Sequence, residues 1–248
     1  MRPLGALLLG VAAYGAFLVA SAPAGLLEAQ ATKDSRLPVS LSSATGTVWN
    51  GRAHASIAVA GLAFPVDEVR WRFLPSRLLA GRVAFAIDAR SAGLESRMEA
   101  ARGPLEWSLR DLHANGDAAT LATLFPIAAA WQPAGTIAVD APHLAWDGRN
   151  ATGDATAEWR DAALSLSAAR PLGSWRAQVT AEGASLKLTL ATTRGPLRLS
   201  GAGTLAMTGR LAFSGEARAE PGRERDLEAV LSLLGPRRAD GAHALEVR

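Results

Sequence analysis

Alternation between apolar and polar residues is the feature that most constrains the fold of this chain. From Val83 to Arg90 every second residue is apolar, and the residues between become polar towards the end of the segment. The same period recurs in five further segments, Val69–Phe73, Trp107–Arg110, Leu164–Ser167, Trp175–Thr180 and Ser185–Leu190. A strand with this period places one face against an apolar interior and the other in water. We therefore predict a strand at each of these segments.

Turn residues separate the alternating segments at short intervals. Gly or Pro falls every eight to twelve residues over much of the chain, which is typical of short strands joined by tight connections. Two segments have helical composition instead, 117–124 and 227–234, each followed by a proline that ends it. A last strand is predicted over Ala244–Val247. The expected fold is all-β, an extended curved antiparallel sheet with two short helices.

A weak internal sequence repeat bears on the organisation of the sheet. Trp49-Asn50-Gly51-Arg52 and Trp146-Asp147-Gly148-Arg149 share a Trp-polar-Gly-Arg sequence. The repeat is consistent with two similar halves, 37–115 and 130–248, joined by the first helical segment. One continuous sheet that bends between its halves explains it as well as two domains do.

The N-terminal residues form the one membrane signal in the sequence. No residue from Pro3 to Leu27 is charged, and as a helix about 25 residues span roughly 37 Å, enough to cross a hydrocarbon core of about 30 Å. Arg2 on the short side predicts that the rest of the chain is exported. We expect a single-pass anchor over 1–27, a linker over 28–36 and a β domain over 37–248. The anchor residues predicted to contact lipid are Leu7, Leu8, Leu9, Val11, Phe17, Leu18 and Val19.

A cleaved signal peptide is the alternative for the same segment. Ala22-Pro23-Ala24 and Ala29-Gln30-Ala31 both carry small residues at the spacing of a cleavage site. The apolar stretch is longer than the usual signal-peptide core and has almost no preceding basic region, which favours the anchor.

Composition and motifs argue against several classes of chemistry. The chain has no cysteine, which excludes disulfides, thiolate metal sites and a cysteine nucleophile. The net charge is only +3 and the arginines are scattered, unlike the clustered basic residues of nucleic-acid binders. No nucleophile elbow, dinucleotide fingerprint or phosphate loop occurs. The four histidines lack metal-ligand spacing: His54, His113, His143 and His243. We predict no enzyme, no metal and no cofactor.

The assembled residues resemble a known family, the N component of bacterial type II secretion systems. The likeness follows the order of the chain: an N-terminal membrane segment, then Gly46-Thr47-Val48-Trp49-Asn50-Gly51-Arg52-Ala53, then Val69–Pro75, then Leu78–Gly81. The later helical segment and Asp240-Gly241 before the final strand are also similar. The family-like motif residues are Gly46, Thr47, Trp49, Gly51, Trp71 and Gly81.

The resemblance implies a non-enzymatic inner-membrane protein with a periplasmic β domain. Its partners would be other secretion components, the inner-membrane platform or the outer-membrane secretin, together with inner-membrane lipid. The family's β region also resembles the repeating β-groove proteins that handle lipids, so a taco-like groove that binds lipid is the alternative function. Acyl chains in such a groove would contact Val83, Leu186 and Leu188. Within the motif, Trp49 and Gly51 are expected to form a shaped turn, where a bulky replacement of Gly51 would clash if its φ is positive.

Overall fold

A computed structural model describes residues 10, 13–15, 17–33, 39–59, 62–91, 93–120, 130–206 and 209–247. It contains one antiparallel sheet of thirteen strands, which pair in sequence order from β1 to β13. The strands are β1 Val39–Gly46, β2 Asn50–Val59, β3 Leu62–Phe73, β4 Val83–Ser91, β5 Leu94–Arg102, β6 Trp107–Asp117, β7 Ala134–Trp146, β8 Ala151–Ala163, β9 Gly173–Gly183, β10 Ser185–Arg194, β11 Leu197–Ala206, β12 Leu211–Ala219 and β13 His243–Val247. The predicted all-β class and antiparallel sheet are confirmed.

The helices are short, and they lie before the first strand or in the connections between strands. Helix α1 covers Gly25–Lys33, a 3₁₀ helix covers Pro75–Ala80 between β3 and β4, and helix α2 covers Glu224–Leu234 between β12 and β13. The prediction of a helix over 227–234 is confirmed, as is the last strand. For the segment 117–124, Asp117 accepts a hydrogen bond from the Ala119 amide as an N-cap would, but 121–124 lie outside the described residues.

One predicted strand is wrong. β8 ends at Ala163, and residues 164–167 form a turn in which Ser165 donates its backbone N–H to the Trp131 carbonyl. The alternation of Leu164 and Leu166 covers only four residues, too few to distinguish a strand from a turn. Leu164 packs against the core, whereas Leu166 is exposed.

Two clusters of buried side chains lie near opposite corners of the sheet. The larger packs α2 against the strands through Leu172, Trp175, Leu197, Leu227 and Leu231. The smaller packs the residues before β1 against β2 and β3 through Ala24, Ala53 and Trp71. A single sheet has no second layer of its own, so these short helices supply the cover that its apolar face needs.

The predicted membrane anchor is only partly within the described residues. Leu7, Leu8, Leu9 and Val11 lie outside them. Phe17, Leu18 and Val19 are described, and their side chains are exposed. Across the described ranges, no helix combines the length and the apolar character needed to cross a membrane. The transmembrane segment stays a prediction.

Candidate functional site

The chain segment before β1 is attached to the sheet at the connection between β1 and β2. The Ala24 amide donates to the Gly46 carbonyl at 3.0 Å, and the Val48 amide donates to the Ala22 carbonyl at 2.9 Å. Pro23 and Thr47 lie opposite each other in an antiparallel bridge. We call this contact, between residues 19–24 and 46–51, the junction. It joins the predicted anchor to the β domain.

Two tryptophans of the family-like motif hold the junction. The Trp49 indole Nε1 donates to the Val19 carbonyl at 2.7 Å, and the buried Trp71 indole Nε1 donates to the Val48 carbonyl at 3.0 Å. The Trp49 ring also lies 4.9 Å from the Phe73 ring. An indole combines a large apolar surface with one hydrogen-bond donor, so each ring can pack against the sheet while its N–H fixes a neighbouring backbone.

The turn of the junction depends on Gly46 and Thr47. Gly46 has a φ of +91°, a left-handed conformation that favours glycine. The Thr47 amide donates to the Asn50 carbonyl at 2.9 Å, and the Thr47 hydroxyl accepts from the Asn50 amide at 3.1 Å. These bonds close the connection between β1 and β2 and orient Trp49 towards the N-terminal segment.

Gly51 is constrained by a close contact and not by its backbone conformation. Its φ lies outside the left-handed region, so the condition of a positive φ is not met. A Cβ at this position would lie 2.5 Å from Cζ2 of Trp71 and 2.7 Å from the Thr45 carbonyl oxygen. Glycine is therefore needed because the Trp71 ring packs directly on the backbone of β2.

Gly81 is the motif residue that lies apart from the junction. It ends the 3₁₀ helix between β3 and β4 with a φ of +68°, and its amide donates to the Leu78 carbonyl at 2.9 Å. The structure thus brings Gly46, Thr47, Trp49, Gly51 and Trp71 together at the junction. Sequence reasoning missed Val19 as the Trp49 acceptor, because that contact joins residues thirty positions apart.

Strand register places the alternating apolar residues on one side of the sheet, which we call the apolar face. Trp71 lies opposite Ile87, which lies opposite Met98; Leu109 lies opposite Leu144; and Val179 lies opposite Leu188. Directly opposed residues on antiparallel strands share a face. The apolar face includes Val69, Ile87, Met98, Leu109, Val139, Val179, Leu188 and Phe213.

Only the two corners of the apolar face are well covered by the described residues. α2 buries the part formed by Trp175 and Leu197, and the N-terminal segment buries Trp71. Between these corners Met98, Leu144 and Leu188 are only partly buried. Leu186, predicted to contact a lipid chain, is also partly buried on this face, whereas Val83 is exposed at the start of β4.

The opposite side of the sheet, the polar face, carries ion pairs between neighbouring strands. Arg97 contacts Asp88 at 2.9 Å, and Glu158 accepts from Nε of both Arg160 and Arg176 at 2.7 Å. Hydrogen bonds from Arg160 and then Arg176 lower the pKa of Glu158 below its ordinary value. Exposed pairs of this kind are screened by solvent, so they solubilise the face more than they stabilise it.

The histidines lie apart on the sheet. His113 Nδ1 lies 2.6 Å from Asp140 Oδ1 across β6 and β7, with both side chains exposed, while His243 Nδ1 lies 2.8 Å from the Gly235 carbonyl. Within the described ranges, no group of three or more histidine, aspartate and glutamate side chains is placed to hold a metal ion. The prominent features of the described surface are therefore a junction, an apolar face and the edges of an open sheet.

Comparison with known proteins identifies the family. No curated protein and no solved structure gives a significant match to the chain. The model of the family described as type II secretion system protein N matches residues 38–246. That range contains all thirteen strands except the last residue of β13, and it includes the six motif residues. The chain belongs to the type II secretion system protein N family.

Proposed function

We propose that this protein is a non-enzymatic, inner-membrane-anchored component of the type II secretion system, with its sheet in the periplasm. It would support the export of folded proteins across the outer membrane by contacting other components, the inner-membrane platform or the secretin. The family match over residues 38–246 is the observation that carries this proposal. The motif residues support it, because their contacts serve to attach the sheet to the N-terminal segment.

An edge strand is the surface best suited to such a partner. The sheet is open, so β1 and β13 each have one outer edge. Residues 236–238 pair with part of β13 through an Arg237–His243 bridge and an Arg238 amide that donates to Ala242. Unpaired backbone groups of an edge accept an added strand with little demand on sequence.

Of the two edge strands, β1 offers the better site in its first half, which favours pairing with a partner strand. In its second half, Ser43 has a φ of +54° at an irregularity in the register, and the Ala44 amide donates to Glu28 of α1 at 3.1 Å. Such bulges and side-chain caps oppose strand addition. Ser40 and Ser42 precede them, and both are exposed. We therefore place the partner strand along Val39–Ser42.

Site-specific photo-cross-linking tests this placement in cells that lack the native gene and express the full chain. A photoreactive residue at Ser42 is expected to cross-link to another secretion component. The same residue at Thr189, which is exposed on the polar face of the interior strand β10, is the matched control and should give no adduct. Equal cross-linking from both positions, or none from Ser42, would contradict docking at the β1 edge.

Binding of a lipid or another apolar ligand on the apolar face is the second candidate function. It is favoured by the partly buried Leu186, Leu188 and Leu190, which lie outside both corner clusters or only at their margin. Each CH₂ group of an acyl chain buried there would contribute about 0.8 kcal/mol. The apolar face would then carry lipid, and the protein would share the fold of the secretion family but not its function.

Mass spectrometry of lipids that co-purify with the gently solubilised protein tests the second function. A carrier should retain stoichiometric lipid, and Leu188→Asn should lower the amount. Thr189→Asn, one residue along on the opposite face, is the control that should leave it unchanged. Circular dichroism establishes that both variants are folded. A folded protein free of lipid would exclude the carrier.

A further inference from the structure

One end of the sheet carries a group of exposed apolar side chains, which we call the apolar rim. Its members are Leu78, Leu79, Val83, Leu105, Trp107 and Trp146. Leu79 is 94% exposed and Leu105 is 83% exposed, while the two tryptophans are 51% and 43% exposed. Trp107 belongs to the apolar side of an alternating segment, yet its side chain is exposed. It begins β6 at the end of the sheet, where none of the described elements covers it.

Strand register brings the rim residues together although they are far apart in sequence. Val83 lies opposite Arg102, Arg102 lies opposite Trp107, and Trp107 lies opposite Trp146, so these four share one row on the apolar face. Leu78 and Leu79 are in the connection between β3 and β4, and Leu105 is in the connection between β5 and β6. In an antiparallel meander these connections lie at the same end of the sheet.

The same end of the sheet receives the N-terminal segment. An apolar crevice between that segment and the sheet is lined by Gly15, Val19, Ala20, Trp49, Phe73, Leu78 and Val83. Two rim residues thus line the same crevice as residues of the predicted anchor. Because Phe17, Leu18 and Val19 are exposed beside it, the apolar surface continues from the anchor to the rim.

The polar residues around the rim include two arginines, while Glu106 is paired with Arg82 at 2.6 Å and Asp147 accepts hydrogen bonds within its own turn. The Arg102 guanidinium lies 4.9 Å from the centre of the Trp107 ring, and Arg149 is exposed in the next connection along. Among the described residues, neither arginine side chain forms an ion pair. Tryptophan is enriched where an apolar phase meets water, and arginine beside it matches anionic headgroups.

We propose that the apolar rim rests in the headgroup region of the bilayer that the N-terminal segment enters. Leu79 and Leu105 insert furthest, Trp107 and Trp146 lie at the boundary between headgroups and acyl chains, and Arg102 and Arg149 face lipid phosphates. The β domain would therefore contact the membrane at two places and keep a fixed orientation on it. This inference rests on the membrane anchor of the proposed function.

Single-cysteine labelling of the full chain tests the rim, because the native sequence has no cysteine. The protein is reconstituted into bilayers of phosphatidylethanolamine and phosphatidylglycerol, and an environment-sensitive fluorophore is attached at Leu79→Cys or Leu105→Cys. We expect blue-shifted emission and quenching by lipids brominated near the headgroup. Leu233→Cys is the matched control, since that side chain is 51% exposed on α2 at the opposite end of the sheet. Its quenching should be several times weaker.

A label at Phe17→Cys separates failure of the rim from failure of the anchor. Quenching at position 17 together with solvent-like emission at positions 79 and 105 would overturn the rim proposal and indicate a protein partner for this surface. Solvent-like emission at all three positions would contradict the anchor itself. Quenching at 17, 79 and 105, with position 233 in water, is the result that the proposal predicts.

Discussion

Gly51→Ala is expected to lower the free energy of unfolding by about 2 kcal/mol, within the range measured for overpacked sites. The new Cβ would lie 2.5 Å from the buried Trp71 ring and 2.7 Å from a backbone oxygen of β1, so either the ring or the strand must shift. Displacement of Trp71 would also weaken its hydrogen bond to Val48 and loosen the junction. At this chain length the midpoint of thermal unfolding should fall by roughly 4–8 °C, measured by circular dichroism.

Gly103→Ala is the matched control for this prediction. Gly103 does not have a left-handed φ, and the nearest atom to an added Cβ is the Glu106 carbonyl oxygen at 3.6 Å, an ordinary contact distance. The unfolding midpoint of this variant should equal that of the native protein. Equal midpoints for Gly51→Ala and Gly103→Ala would show that the close packing of Trp71 on β2 does not constrain the fold.

Leu227→Ala is expected to destabilise the protein by about 3 kcal/mol, because it leaves a cavity beneath α2. Leu227 is fully buried in the cluster that contains Leu172 and Leu197, and α2 forms most of the cover of this corner of the sheet. Chemical denaturation gives the change in free energy directly.

Leu233→Ala provides the comparison within the same helix. The side chain of Leu233 is 51% exposed, so its truncation should change stability by no more than about 0.5 kcal/mol. A similar loss for both variants would contradict burial of Leu227 against the sheet as the cause, because alanine has the higher helix propensity and would not itself weaken the helix. A difference of several-fold is expected.

The strands were predictable from the sequence because a sheet with one wet face requires strict alternation. Val83–Ser91 and Ser185–Arg194 each repeat the pattern over enough residues to exclude a helix. The turn at Leu164–Ser167 shows the same alternation, but over too few residues to distinguish a strand from a turn. Alternation also assigns a residue to a face without saying whether that part of the face is covered, and Trp107 on the apolar face is exposed.

The sequence identified the motif residues of the junction but not the contacts that they make. The motif residues around Trp49 and Gly51 carry the family resemblance, but the contacts that require these residues are tertiary. Gly51 is constrained by a ring twenty residues further along the chain, and Trp49 by a carbonyl thirty residues before it. Contacts between residues this far apart leave no pattern in the local sequence. The apolar rim likewise exists only once register places Trp107 opposite Trp146.

Export of folded proteins in cells that lack this gene is the measurement that tests the central claim most directly. Loss of a secretion component should leave folded substrates in the periplasm when the system is under high demand. The native gene and Gly103→Ala should restore export fully, whereas Gly51→Ala should restore it less well at the growth temperature where its lower stability matters. Unchanged export in the deletion strain under high demand would contradict a role in type II secretion.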